Sequence, residues 1–207
     1  MLQFEADRTF LRSVELDLRP VAGKFDSYHL QQIHLRLFQD LPAFNPGVFR
    51  QPTQPGKDWV KRRTIEGSHF LVAYSPLDEG ALKDMRMVMS ENVPAALQRL
   101  PAAKVPGVIA ELYSAIDYAH PFADGNSRTL RVFTRQLARA AGFNLNWEAL
   151  GVDSTAQARL YVARDLAVNA RALPHIRGHA NLRDVQYALD VLAQNVTLEK
   201  LLKQAIS

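Results

Sequence analysis

The sequence predicts a mainly α fold with a single β-hairpin. Apolar residues recur at helical spacing through most of the chain, β-prone residues concentrate between Trp59 and Tyr74, and 47% of the 207 residues are hydrophobic, enough for a sizeable core. No internal repeat, low-complexity tract or linker divides the chain, so one domain over residues 1–207 is expected.

In chain order, a short helix fits Glu5 to Leu16, ending near Pro20 and Gly23. Asp26 or Ser27 caps a second helix through about Leu41, with Leu30, Ile33, Leu37 and Leu41 on one face and Pro42 as its stop. Residues 43–57 are rich in Pro, Gly and Asn and read as a loop. Trp59 to Tyr74 then reads as a hairpin, with Gly67-Ser68 separating its arms. Such a hairpin has no larger sheet to join, so its outer edge offers unpaired backbone groups to an extended peptide. Helices follow at about Asp78 to Asn92, Lys104 to Ala119 and Arg128 to Ala141, the last closed by Gly142. Trp147 to Leu150 is a short turn, and Ser154 or Thr155 caps a helix to about Ala170. Two more helices, Leu182 to Gln194 and Thr197 to Ile206, follow a break at Pro174 to Ala180.

Composition narrows the function. No cysteine is present, which excludes a disulfide framework and a thiolate metal site and suits a reducing cytoplasm. Charged residues at Glu5, Asp7, Arg8 and Arg12 interrupt the N-terminus as a signal peptide, and no apolar run approaches membrane-spanning length, so no membrane association is expected. A net charge of +4 favours an anionic partner.

Chemistry concentrates in His120-Pro121-Phe122-Ala123-Asp124-Gly125-Asn126-Ser127-Arg128-Thr129-Leu130-Arg131. Arg128 and Arg131 fall in what reads as the first turn of a helix, where the macrodipole disfavours cations unless an anion offsets them. Gly125-Asn126 ahead of the helix exposes backbone N–H groups, a concave anion site of the kind that holds phosphates. Forked guanidinium groups one turn apart match phosphate oxygens. Asp124 is a hard oxygen ligand suited to Mg²⁺ held jointly with substrate phosphates, or simply a turn aspartate. His120, at the end of the preceding helix, is either a general base near neutral pH or a histidine answering the helix dipole.

These residues resemble the motif of Fic-domain proteins, His-x-Phe-x-(Asp/Glu)-Gly-Asn-(Gly/Lys)-Arg-x-x-Arg, at every constrained position but one. The resemblance extends over about residues 25–195 and implies the Fic fold, a helical core with a β-hairpin flap. It implies transfer of AMP from ATP to a hydroxyl of a target protein. His120 would take the proton from a Tyr, Ser or Thr hydroxyl, and Asp124 would hold Mg²⁺. Gly125 and Asn126 would form the anion hole, with the Asn126 side chain on the α-phosphate. Arg128 and Arg131 would hold the β- and γ-phosphates, and Phe122 would anchor the loop. The departure is Ser127, where the family usually has glycine; a positive φ there would strain serine, and its side chain would border the nucleotide. Phosphorylation and UMP transfer are rival chemistries, and a catalytically weak helical binding module is the rival outside enzymes.

By the same resemblance, Arg63, Thr64, Ile65, Phe70, Leu71, Val72 and Tyr74 form a flap that docks the target segment by strand addition. Lys61-Arg62-Arg63 is a docking patch or a solvated basic turn, too short to argue direct nucleic-acid binding. Many Fic proteins are held off by a Ser/Thr-x-x-x-Glu-Gly/Asn helix whose glutamate meets the second motif arginine, here Arg131. The one match, Ser75 to Gly80, contains Pro76 and follows the hairpin directly, so it is read as chance. A bacterial cytoplasmic toxin inhibited in trans by a small antitoxin is therefore expected, with secretion as an effector still open. His175 and His179 are discounted as a metal pair, His29, His34 and His69 as surface or helix-face residues, and Trp59 and Trp147 as packing residues.

Overall fold

The computed structural model describes residues 2–65, 67–192 and 196–207. Helix α1 (Leu2–Leu18) is longer than the sequence suggests, and α2 (Ser27–Phe38) starts where Asp26 accepts the His29 N–H. α2 ends at Phe38 rather than Leu41, because the ring of Pro42 is incompatible with the carbonyl four residues earlier; Pro42–Phe44 forms a 3₁₀ turn instead. Strands β1 (Trp59–Ile65) and β2 (Ser68–Tyr74) pair in antiparallel register, Trp59 opposite Tyr74 and Ile65 opposite Ser68, so Ser68 belongs to the strand and not to the turn.

The remaining helices are α3 (Glu79–Glu91), the short α4 (Pro94–Gln98), α5 (Val105–Ala119), α6 (Asn126–Ala140), α7 (Ser154–Ala172), α8 (His179–Leu192) and α9 (Leu198–Ala205). Asp153, not Ser154, caps α7 by accepting the Ala156 N–H, since its side chain precedes the first helical residue. The expected end of α8 at Gln194 lies outside the described residues. α4 was not legible, because five residues behind Val93-Pro94 carry too little periodicity.

The largest core forms around α5 and α6, where Ile109, Leu112, Tyr113 and Ile116 meet Leu130, Phe133 and Leu137, all essentially without solvent exposure. β2 is sandwiched separately. Phe70, Val72 and Tyr74 pack with Val168 and Ala188, while Leu71 and Ala73 on the other face pack with Ala172 and Val185. α7 and α8 thus hold the hairpin against the body of the protein.

Between those faces, Asn169 of α7 is fully buried at the edge of β2. Its Nδ2 donates to the Leu71 carbonyl at 2.8 Å and its Oδ1 accepts the Ala73 N–H at 3.0 Å. One carboxamide therefore replaces a third strand on that side. By the register, the Val60 and Arg62 backbone groups opposite Ala73 and Leu71 turn outward on β1, so the open edge of the hairpin belongs to β1. Replacing Asn169 by Ala orphans two buried backbone groups and should lower stability by about 2 to 4 kcal/mol, measured as a reduced urea midpoint at unchanged m-value.

Candidate functional site

The site is built on the reversal between α5 and α6. His120 closes α5 in the left-handed region (φ 46°), with its N–H on the Ile116 carbonyl, and this turns its side chain inward, where it is 5% exposed. The loop behind it is cross-braced by Asn126, which accepts the Phe122 N–H at 2.9 Å and donates to the Phe122 carbonyl at 2.8 Å. One N–H and one lone pair of the Asn126 amide are thereby committed to the loop. The second N–H of the amide is left for the expected contact with an α-phosphate, and Asn126 lines the pocket beside the backbone N–H groups.

Phe122 is buried as anticipated, stacked on the ring of His34 at 3.8 Å between centroids. His34 is not a surface residue but a strut. Its Nδ1 accepts the Gly47 N–H at 2.9 Å, so Nε2 carries the proton and donates to the Asp124 carbonyl at 3.1 Å. His29 is buried likewise, its Nδ1 accepting the Phe25 N–H. Gly125 has φ 75°, and a Cβ there would lie 2.4 Å from the Phe38 ring, so only glycine fits.

α6 begins at Asn126, two residues earlier than its periodicity suggests, with Gly125 as an N-cap that has no side chain to offer. The N–H groups of Asn126, Ser127 and Arg128 consequently face outward with no side-chain cap, at the positive end of the helix dipole. Ser127 takes an ordinary helical conformation, which removes the strain expected of a non-glycine residue. Arg128 lies in the first turn, but Arg131 is in the second, where the dipole acts on it little.

A pocket of about 480 Å³ brings His120, Asp124, Gly125, Asn126, Ser127, Arg128 and Arg131 together with Lys61, Arg63 and Thr64 of β1 and Tyr161, Arg164 and Asp165 of α7. Five cationic side chains outweigh its two carboxylates, which makes it an anion site by charge as well as by backbone geometry. Burial pushes the Asp165 carboxyl up to about 6, which weakens it further as a competing anion.

Burial lowers the pKa of His120 against the opposing influence of Asp117, so the imidazole is neutral at neutral pH. Its Nε2 lies 3.1 Å from the Lys61 amine on the pocket side. On the far side Nδ1 lies 3.7 Å from Asp117 Oδ1, while Asp117 Oδ2 accepts from Arg164 Nη2 at 2.8 Å. Asp124 is exposed beside the arginines, with Oδ1 accepting the Gly125 N–H at 2.6 Å. One pocket-lining carboxylate with its second oxygen not engaged by the Gly125 N–H suits a Mg²⁺ ion shared with phosphates. Among the described residues no cluster forms an all-protein metal cage.

Arg128 donates to Glu5 of α1 at 3.0 Å and lies over the rings of Phe38 and Phe44. Arg131 has no ion pair among the described residues, and its Nε has no hydrogen-bond partner there. In the flap, the side chains of Phe70, Leu71, Val72 and Tyr74 are buried against α7 and α8, so they anchor the hairpin; the accessible edge and the exposed Thr64 are on β1. Arg63 is half-buried and donates to the Tyr74 hydroxyl at 2.9 Å, and the Ile65 side chain lies outside the described residues.

Sequence reasoning missed Arg50. From the loop before the hairpin it donates to the carbonyls of His120 (2.9 Å) and Ser75 (2.7 Å), and its guanidinium lies 3.4 Å over Trp59. Burial without a carboxylate pushes its pKa down to about 10. Asp117, Arg164 and Asp165 were missed as well, because they reach the site only through tertiary packing of α5 on α7.

The Fic/DOC family model matches residues 24–138. Protein adenylyltransferase VbhT of Bartonella schoenbuchensis is 29% identical over 144 residues, which cover 70% of this chain and 27% of that protein. The probable protein adenylyltransferase Fic of Escherichia coli is 28% identical over 152 residues, covering 73% of this chain and 68% of that protein. The chain spans about a quarter of the length of the two Bartonella relatives it matches. Among solved structures, the N-terminal Fic domain of a cell filamentation protein from Bartonella quintana with bound ADP aligns with a TM-score of 0.64 and 21% identity, covering 100% of this chain and 84% of that one. A Bartonella sp. AR 15-3 effector Fic domain aligns with a TM-score of 0.65 and 18% identity, covering 99% and 81%.

Burial holds His34 neutral with its pKa down at about 4, against an ordinary value near 6.5 in the unfolded chain. The unfolded state therefore takes up its proton first as pH falls. Stability should be intact above pH ~6.5 and lost between ~6.5 and ~4, by on the order of 3 kcal/mol from this group alone. Urea titrations across that range should show a shallower loss in His34→Gln, with His29 and His120 contributing in the same direction.

Proposed function

The chain belongs to the Fic/DOC family, and on that premise we propose that it transfers AMP from ATP to a Tyr, Ser or Thr hydroxyl of a target protein. The observation that carries the reading is a neutral histidine whose Nε2 faces a strongly cationic pocket floored by the uncapped N–H groups of a helix start. Phosphoryl-type transfer asks for positioning and charge neutralisation more than for covalent help, and these are what the pocket supplies.

In the proposed reaction the target hydroxyl displaces the Lys61 amine from His120 Nε2 and gives that nitrogen its proton while attacking the α-phosphorus. The bond to the β-phosphate oxygen breaks and pyrophosphate leaves. The Asn126, Ser127 and Arg128 N–H groups hold phosphate oxygens, and Arg128 and Arg131 hold the β- and γ-phosphates. Asp124 would hold Mg²⁺, which when bound supplies neutralisation of charge on the phosphate oxygens. The target segment adds to the open edge of β1, which runs past the pocket at Lys61 and Arg63.

A bacterial toxin acting in the cytoplasm and restrained in trans by a small antitoxin completes the proposal. It is supported by Arg131, which lacks a carboxylate partner among the described residues and is open to a glutamate from another chain. No helix among the described residues is long and apolar enough to cross a membrane.

With purified protein and a lysate of candidate targets, label from ATP carrying it at the α position should be retained and label at the γ position released. His120→Ala should reduce transfer at least ~10²-fold; retention of γ label alone would refute AMP transfer. Glu5→Gln separates restraint by the chain's own α1 from restraint in trans. Transfer by the purified chain should change less than about threefold, and a large activation would place the restraint on the Glu5–Arg128 pair.

A further inference from the structure

The surroundings of His120 decide which ring nitrogen bears its proton. An ammonium donates and does not accept, so the Lys61 amine at 3.1 Å favours the lone pair on Nε2 and the hydrogen on Nδ1. That hydrogen points at Asp117. His120 Nδ1 and Asp117 Oδ1 are both buried, both lack a hydrogen-bond partner, and face each other across 3.7 Å. A shift of less than about 1 Å brings them within bonding distance.

Asp117 is itself fixed from behind. It is 1% exposed on α5, three residues before His120 on the same face, and Arg164 of α7 holds its other oxygen at 2.8 Å. A guanidinium commonly takes a carboxylate with two parallel bonds, but here one contact is made and Oδ1 is left for the imidazole. The remaining groups facing the ring are Lys61 from β1, Tyr74 from β2 at 4.1 Å between ring centroids, and Arg50 from the preceding loop; Asp165 stands beside Arg164 on α7. Among these, Asp117 alone offers an acceptor to Nδ1.

We propose that Asp117, held by Arg164, is the positioning residue of His120: it takes the Nδ1–H, keeps the Nε2 lone pair on the pocket side, and stabilises the imidazolium formed when Nε2 accepts the hydroxyl proton. This rests on the AMP-transfer reading for its chemistry, but not for its geometry. Asp117 raises the pKa of His120 against the lowering by burial, Lys61 and Arg50. A base works in its neutral form, so loss of the Asp117 charge moves the acid limb of the pH–rate profile to lower pH while the maximal rate falls.

The test is ¹⁵N NMR of the histidine ring nitrogens in wild type, Asp117→Asn and the double variant Asp117→Asn/Arg164→Gln, alongside the pH profile of AMP transfer. The double variant keeps the experiment readable where the single one leaves Arg164 unpaired and unfolds the chain. Wild type should show His120 protonated at Nδ1 and bare at Nε2. The folded variants should gain the Nε2–H tautomer and lose at least ~10²-fold in kcat, with KM for ATP within about twofold and the acid limb displaced downward. A wild-type proton on Nε2, or an unchanged tautomer and kcat in a folded variant, overturns the proposal. Absence of AMP transfer in wild type would sink the functional reading while the tautomer measurement still decides the role of Asp117.

Discussion

The two hydrogen bonds between Asn126 and the backbone of Phe122 are the constraint on which the site depends. They close the loop between two helices into a small ring, so that the C-terminal end of α5 and the N-terminal end of α6 arrive at one pocket. The first brings a histidine, the second a row of N–H groups. Phe122 then fills the ring from inside, wedged on His34, and Gly125 lets Phe38 approach where any side chain would collide. Backbone closure comes first here, and the placement of the reactive groups follows from it.

Arg50 does for the end of α5 what Asn126 does for the start of α6. The last carbonyls of a helix lack intrahelical partners and carry its negative dipole end, a suitable place for a buried cation without a carboxylate. By binding the His120 and Ser75 carbonyls while lying over Trp59, Arg50 joins the motif loop to both ends of the hairpin. On the opposite side the pairs Arg164–Asp117 and Arg63–Asp165 tie α7 to α5 and to β1. His120 is therefore enclosed by charges from its own helix and from three segments remote in sequence.

What was legible in the sequence was the part that acts locally. The periodicity of α5 and α6, the Asp26 cap of α2, the hairpin and the motif between His120 and Arg131 all rest on neighbours within a few residues, and each is present, with ends displaced by a residue or two in α6 and the hairpin turn. The start of α6 was misjudged because its cap is a bare glycine and because Asn126, a residue favoured just before helices, spends its side chain backwards on the loop. The dipole argument holds for Arg128 and hardly for Arg131; the cation excess of the whole pocket is the sounder ground for an anionic ligand. Arg50, Asp117, Arg164 and Asn169 gave no signal because their partners lie between 25 and 98 residues away, His120 apart. His34 reads as a surface or helix-face residue for the same reason, since its partners, the Gly47 N–H and the Asp124 carbonyl, lie on loops that only the fold brings near.

The seal that Asn169 places on β2 also governs how the protein behaves towards copies of itself. A hairpin with two open edges can propagate a sheet from molecule to molecule without limit, whereas one closed edge ends the ladder after a single added strand. Two copies could pair β1 to β1, but a third would find nothing to join. Such a pair would also cover the edge that runs along the pocket, so self-association and engagement of a peptide there are mutually exclusive states of one surface.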